Sequence, residues 1–366
     1  QPSAEFDEST GLGEITHIGT DPNYKSKFDS ILKEWGFDPQ HFEIEGKVKA
    51  SSWNTQLKGG IVETFYAFKG VVRRRHPERD EWYDELLKEV SKKKPLKKKK
   101  IKSDVAYIFT LSDWQLGKVD LGVEKTLERY DKALDRAVQE VRQLGSVDEI
   151  YLLSMGDLTE GCYGFYDSQA HNISLNLSQQ YHLARKLIMK TVDTFLPYTN
   201  KIVLSGVPAN HGEMARSGKG QVVTSRLDNS DTMHLEICQE IMEQNKRYDK
   251  VTVSIPKGFH HTVEVKGHTV GFTHGHMHSG GTGPEGKIMK WWQGQMFGDF
   301  PVGDAEILIT GHFHHPRMMQ QGNRTWFQCP SIDASLDFTA RTGMWSKPGV
   351  LTFTIDKDGW DNYKIV

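Results

Sequence analysis

The sequence predicts an α/β fold, a pair of mixed sheets with helices outside, preceded by a small α+β module. Three observations predict it. From residue 103 onward, strand-like apolar runs alternate with amphipathic helical patterns and later follow one another with few helices between them, as in a mixed sheet pair. Ahead of these runs, SKKKPLKKKKIK (91–102) places eight lysines and a proline in twelve residues, a composition that suits a solvated linker and not a core. Finally, five of the strand-like runs end on Asp, Asn or His, so polar side chains leave apolar strands at the same end.

Taken in order, residues 1–24 carry Gly, Pro, Ser and Asp without periodicity and are expected to form a flexible N-terminus. Residues 25–90 read as the α+β module. FDSILKEWG sets Phe28, Ile31, Leu32 and Trp35 on one helical face before the stop at Gly36. HFEIEGKVKA and VETFYAFKGVV have strand patterns, and EWYDELLKEV is a short helix. The lysine run 91–102 is then the domain boundary. In the region 103–366, Val105–Leu111 is a strand, and the helix that follows has Leu127, Tyr130, Leu134, Ala137 or Val138, Val141 and Leu144 at helical spacing and is capped at Gly145. EIYLLS, KIVLSG, VTVSI, HTVEV, HTVGF, AEILIT, TWFQ and VLTFTI are further strands, with helices at 179–196 and over DTMHLEICQEIMEQ.

At 37 % hydrophobic residues the chain can bury a sizeable core. No run of eighteen apolar residues and no leader-like start is visible, so the expectation is a soluble, cytoplasmic protein without a membrane partner. Cys162, Cys238 and Cys329 are odd in number and widely spaced, which argues against a disulfide framework or a cysteine zinc site. Charge is uneven: residues 58–102 hold 15 Lys and Arg against 7 Asp and Glu, a net +8, while 1–57 and 103–366 each carry a net −5.

The strand ends carry the chemistry. LSDWQ ends a strand with Asp113 and Gln115, MGD with Asp157, PANH with Asn210 and His211, THGHMH with His274, and GHFHH with His312 and His314. Ligand sites in α/β sheets form at the carboxyl ends of strands, and these residue types are oxygen and imidazole ligands for divalent metals.

In that order, D-x-Q, G-D, N-H, H and G-H-x-H, the motifs resemble the calcineurin-like metallophosphoesterase superfamily over roughly residues 104–356. The resemblance implies a four-layer α/β/β/α sandwich of two mixed sheets with flanking helices. It also implies two divalent ions, one held by Asp113, Gln115, Asp157 and His314 and the other by Asp157, Asn210, His274 and His312, with Asp157 bridging. His211 matches the family's catalytic histidine at the scissile phosphate. Two such ions can activate a shared water and clamp the attacking and departing oxygens of an in-line displacement at phosphorus.

The chain departs from the family at two places. Gln115 stands where the usual motif has His, so the first ion would be weakly held, and a neutral oxygen donor favours Mn²⁺, or Mg²⁺, over zinc. Ala209 stands where the family has Gly in G-N-H, which asks for a backbone without positive φ there. Within THGHMH, His276 is the alternative to His274; His278 and the histidines at 260, 261 and 268 are read as loop, surface or core residues, Trp291 and Trp292 as helix packing, and His315 is assigned no role.

Arg216 and Lys219, in the loop after His211, are candidate phosphate ligands. Tyr163, with Phe165 and Tyr166, lies in a Gly-rich insertion after Asp157 and is a candidate base-stacking residue, or else packs that loop. The lysine run, Arg73–Arg75 and the aromatics Trp53, Phe65, Tyr66 and Phe68 suggest a nucleic-acid surface.

The expected function is therefore a two-metal phosphodiesterase, a DNA nuclease resembling phage-encoded and DNA-repair exonuclease-type members, located in the host cytoplasm if phage-encoded. Two alternatives stand beside it. One is a phosphatase or phosphodiesterase on a small or cyclic nucleotide, and the other is a non-catalytic protein with a degenerate metal site. Nothing in the sequence sets the oligomeric state.

Overall fold

The computed structural model describes residues 2–7, 12–23, 27–39, 42–74, 79–96, 100–119, 122–166, 169–216, 221–278, 282–333, 339, 343 and 345–366. The chain divides into two compact units, 1–82 and 83–366.

In the first unit, β1 (Ser3–Asp7), β2 (Leu12–Gly19), β3 (Phe42–Gln56) and β4 (Val62–Arg74) form an antiparallel sheet of order β1-β2-β4-β3, accompanied by α1 (Phe28–Glu34). Ile15, Ile31, Leu32 and Val72 make its core. Gly36, at φ 82°, lies just past the C-cap Trp35 of α1, as the sequence predicts. Residues 1–24 do not read as strands, yet β2 pairs along β4 from Leu12↔Arg73 to Gly19↔Tyr66 and β1 pairs with β2. Only Ile15 of β2 is fully buried, so the two-residue period that announces a strand is faint. Arg73, 41 % exposed, pairs with Glu43 and Glu45 at 2.6 and 2.9 Å, and Phe68 is buried, which withdraws Phe68 from the expected nucleic-acid surface. Arg75 lies outside the described residues.

The unit boundary falls ahead of the lysine run expected to carry it. The cause is α2 (Arg79–Ser91), whose Leu86 and Val90 belong to the core of the second unit. The run itself is partly tied down: Lys93 Nζ lies 2.8 Å from Asp193, the carbonyls of Lys93 and Lys94 accept from Asn245 and Arg247, and the Ile101 N–H donates to Asn200. Residues 97–99 lie outside the described residues.

The second unit contains two mixed sheets. In the first, β5 (Ala106–Ser112), β6 (Val147–Gly156), β7 (Thr199–Gly206) and β8 (Val251–Ser254) are parallel, with β14 (Leu351–Asp356) antiparallel on β5 and β15 (Gly359–Ile365) on β14. In the second, β10 (His268–Thr273), β11 (Ile307–Thr310) and β13 (Arg324–Gln328) are parallel, flanked by the antiparallel edges β9 (His260–Val265) and β12 (Arg317–Gln321).

The layers follow from the pleat. Along β5, Ala106 and Ile108 face the space between the sheets with Phe272, Ile309 and Phe327, whereas Tyr107, Phe109 and Leu111 face α3 (Val123–Gln143), α4 (Leu177–Phe195) and α5 (Ser230–Glu243). On the far side, α6 (Gly283–Phe297) packs Ile288 and Trp292 against Leu308 and Trp326. This is the expected α/β/β/α sandwich. Truncating the fully buried Phe109 to Ala would cost roughly 3–5 kcal/mol.

Local signals agree with the fold. Asn176 and Gln179 make a reciprocal capping box that starts α4, and Gly145, at φ 75°, closes α3. The sequence does not announce β12 and β15, because both are sheet edges with mixed exposure and no clean alternation. Among the described residues no helix is long and apolar enough to cross a membrane.

Candidate metal centre

Parallel strands bring their carboxyl ends together. The loops that follow β5 and β6 are laced by backbone bonds, from Asp113 N–H to the Gly156 carbonyl and from Gln115 N–H to that of Asp157, both 3.0 Å; in the second sheet the Gly311 N–H donates to the His274 carbonyl at 3.0 Å. The backbone turns sharply at the candidate ligands themselves. Asp113, Gln115, Asp157, His312 and His314 have φ of 52°, 44°, 53°, 69° and 59°, the left-handed region that residues with a Cβ rarely adopt. Such strain persists where surrounding structure enforces it and concentrates at functional sites. Ala209 avoids positive φ, as its side chain requires, and is fully buried. Gly156 makes room for it: a Cβ on Gly156 would lie 2.4 Å from that of Ala209.

Around Asp157 the donors converge. His274 Nε2 lies 3.0 Å from Asp157 Oδ2 and 2.9 Å from Asn210 Oδ1. Its Nδ1 lies 2.6 Å from the Met155 carbonyl oxygen, to which it can only donate, and this fixes Nε2 toward the two oxygens. Three acceptors thus face one another, an arrangement that a proton or a metal ion among them satisfies. Asp157, His274 and His312 each bring one ligand atom within 4.8 Å of the others, a set able to hold a metal.

The electrostatics agree. Burial alone would depress the His274 pKa, but the Asp157 and Asp113 carboxylates outweigh it and raise it to about 9. Asp157 is lowered, against burial, by the nearby His274, His211 and His312. His312, half-buried beside His274, is pushed down by desolvation to about 3, so at neutral pH it offers a lone pair. His276, whose ring centroid lies 5.3 Å from that of His274, is outside the group whose ligand atoms converge; its ring nitrogens make no hydrogen bond among the described residues, and burial lowers its pKa to about 2.

Around Asp113 polar groups engage one another. Its carboxylate accepts from the Ser112 hydroxyl and from the His312 N–H at 3.2 and 3.3 Å, and lies 3.3 Å from His314 Nε2. Gly311 permits this packing, since a Cβ there would sit 2.8 Å from Asp113 Oδ2. The Gln115 amide oxygen accepts from Lys118 Nζ at 3.1 Å, and the same ammonium lies 2.8 Å from Asp333.

His211 stands beside Asp157, whose Oδ1 accepts its backbone N–H at 2.8 Å. Its ring is held by a 2.7 Å bond from Nδ1 to the Glu160 carbonyl and by Phe165, stacked at 4.4 Å and 13°. The Arg216 guanidinium lies 3.9 Å over Phe165, bonds the Gly164 carbonyl and pairs with Glu213. Arg216, expected to bind phosphate, is thus held in the His211 loop by Glu213, Gly164 and Phe165, and Phe165, a candidate for base stacking, packs on His211. Tyr166 donates to Glu160 at 2.6 Å, while Tyr163 remains 57 % exposed. Lys219 lies outside the described residues.

Four contributors escape the sequence reading. Asp231, at the start of α5, accepts the backbone N–H groups of Asp157 and Leu158 at 3.1 and 3.0 Å and so fixes the strained turn; burial and the Asp157 charge raise its pKa to about 7. Its only sequence signal is its place directly after the N-cap Asn229 and its neighbour Ser230. Glu160 is fully buried beside His211, and burial raises its pKa. Lys118 and Asp333 meet across 215 positions, a pairing no local pattern announces.

No protein-family model matches the chain, and no curated protein matches it. Solved structures are similar to it. An archaeal phosphodiesterase is 12 % identical, over 71 % of this chain and 99 % of that one, with a TM-score of 0.34. A predicted phosphoesterase from Streptococcus pneumoniae is 12 % identical over 47 % and 76 %, at 0.26, and zinc-complexed Vps29 from Entamoeba histolytica is 13 % identical over 68 % and 84 %, at 0.30.

Proposed function

We propose that the chain is a metal-dependent phosphoesterase of the calcineurin-like type and, within that class, a nuclease that hydrolyses DNA phosphodiesters. The observation that carries the reading is the convergence of Asp157, Asn210, His274 and His312 on one point with His211 beside it. The donor set fits divalent cations, Asp157, Asn210, His274 and His312 holding one and Asp113, Gln115 and His314 lining the adjoining position. Bound there, such ions, Mn²⁺ by the oxygen-rich donors, lower the pKa of water and neutralise phosphoryl charge.

The chain's own residues do the rest. Asp231 holds the Asp157 turn so that the carboxylate keeps its place. The Met155 carbonyl fixes the His274 tautomer. His211, with Nδ1 donating to the Glu160 carbonyl and its face on Phe165, is left with Nε2, which as the N–H of the imidazolium form stabilises charge on, or protonates, a departing oxygen. Exposed Tyr163 offers a face for a base.

A second reading, a phosphodiesterase acting on a small nucleotide, gains support from the pairing of Arg73 with Glu43 and Glu45 and of Arg216 with Glu213, which removes two cations that would grip a long polyanion. The test is hydrolysis, with Mn²⁺, of single- and double-stranded DNA and of bis-p-nitrophenyl phosphate by the wild type, Asp157→Ala and His211→Ala. Loss of DNA cleavage in both variants supports the nuclease reading. Cleavage of the small ester alone moves the assignment to small nucleotides, and no hydrolysis of either by the wild type overturns both.

A further inference from the structure

The adjoining position around Asp113 is built differently from the one around Asp157. Gly117, at φ 104°, turns the chain tightly between Gln115 and Lys118, and a Cβ there would meet the Gln180 side chain at 2.6 Å. The turn returns Lys118 onto the residue three before it, where its ammonium donates to the Gln115 oxygen at 3.1 Å. The ammonium is anchored by Asp333, whose side chain is 4 % exposed, at 2.8 Å, and the Lys118 side chain is itself only 16 % exposed. This is a built-in ion pair and not a surface contact.

The other donors on this side are occupied by protein partners. Asp113 takes hydrogen bonds from Ser112 and the His312 backbone and faces His314. Among the described residues, the one convergent group of His, Cys, Asp or Glu suited to a metal is Asp157, His274 and His312. A divalent ion on the Gln115 oxygen would share that oxygen with an ammonium, and like charges so close repel. An ammonium is also a compact point charge suited to phosphate oxygens.

We propose that Lys118 supplies the positive charge on the Asp113 side of the centre, so that the chain holds one divalent ion tightly, at Asp157, Asn210, His274 and His312, and a second only weakly. The proposal rests on the phosphoesterase reading for its purpose, but it is a statement about cation stoichiometry and can fail separately.

The test is the metal content of the full-length chain after Mn²⁺ loading and gel filtration, by plasma mass spectrometry, with calorimetric titration of the metal-free protein. The wild type is expected to retain one Mn²⁺. Lys118→Gln, which removes the charge, is expected to retain two or to bind the second at least tenfold more tightly, and Lys118→Met, which keeps the aliphatic stem, to do the same should the glutamine variant fail a thermal-melt check. Lys118→Arg, which keeps the charge, is expected to retain one. Two ions in the wild type, or neutral variants indistinguishable from it, would overturn the proposal. No retained ion would overturn it together with the metal-centre reading, whereas one retained ion without hydrolysis would leave it standing and sink only the proposed function.

Discussion

On the Asp157 side of the site, His274 turns Nε2 onto two oxygens, 3.0 and 2.9 Å away; on the Asp113 side, Gln115 turns its oxygen onto the ammonium of Lys118, 3.1 Å away. Both sides use residues at positive φ on loops that follow parallel strands. They differ in what completes them. Acceptors that face one another call for a cation from outside, whereas an acceptor that faces a lysine already has one. Gln115 is thus accompanied by a neighbouring residue, Lys118, that changes the electrostatics of the whole side.

The comparison breaks most visibly at Asp157. Asp157→Ala should reduce hydrolysis to background and abolish retention of the tight ion, and a variant that keeps either would show that the convergent set is not the working site. Next comes His211→Ala, which should lower kcat by about 10²- to 10⁴-fold with metal content unchanged, since His211 stands beside the acceptors and is not among them. Turnover and metal content measured on one preparation check both halves of that statement.

A sharper contrast comes from Asp231→Asn against Gln115→Ala. The first loosens the backbone under Asp157 and should weaken the tight ion by about 10- to 100-fold, while the second should leave that affinity where it was. Equal effects would erase the distinction between the sides. The smallest effect is on stability. In metal-free protein the His274 pKa is raised from 6.5 to about 9, so its pairing with Asp157 contributes fully below pH 6.5 and is lost as pH rises through about 9. Thermal melts in chelator between pH 6 and 9.5 should therefore fall with pH, whereas Mn²⁺ affinity, which requires a deprotonated ring, should rise over the same range. A His274→Gln variant should flatten the first trend.

Part of the candidate site was legible in sequence because each candidate donor follows closely on an apolar run, so Asp113, Asp157, Asn210, His274, His312 and His314 could be located at strand ends, their roles being what the resemblance implies. What supports them was not. Asp231 reaches Asp157 from 74 positions away and Asp333 reaches Lys118 from 215, and long-range pairings leave no local period. The partners of Arg216 were hidden for a related reason: a loop arginine after His211 gives no sign in sequence that Glu213 and the Phe165 ring hold it. The strands at 3–7 and 12–19 were hidden because a sheet with little burial needs little hydrophobic alternation.

The left-handed turns at Asp113, Gln115, Asp157, His312 and His314 have a consequence for how such a chain can change. Each holds a side chain where glycine would sit with less strain, at a cost of roughly 1–2 kcal/mol. Exchange of any of the five for glycine would relax the loop and delete a donor in one step. Backbone strain alone would favour that exchange, but at Asp113 and Asp157 it would also orphan the His312 and His211 N–H groups that their carboxylates accept, so heat tolerance is not expected to rise at those two positions.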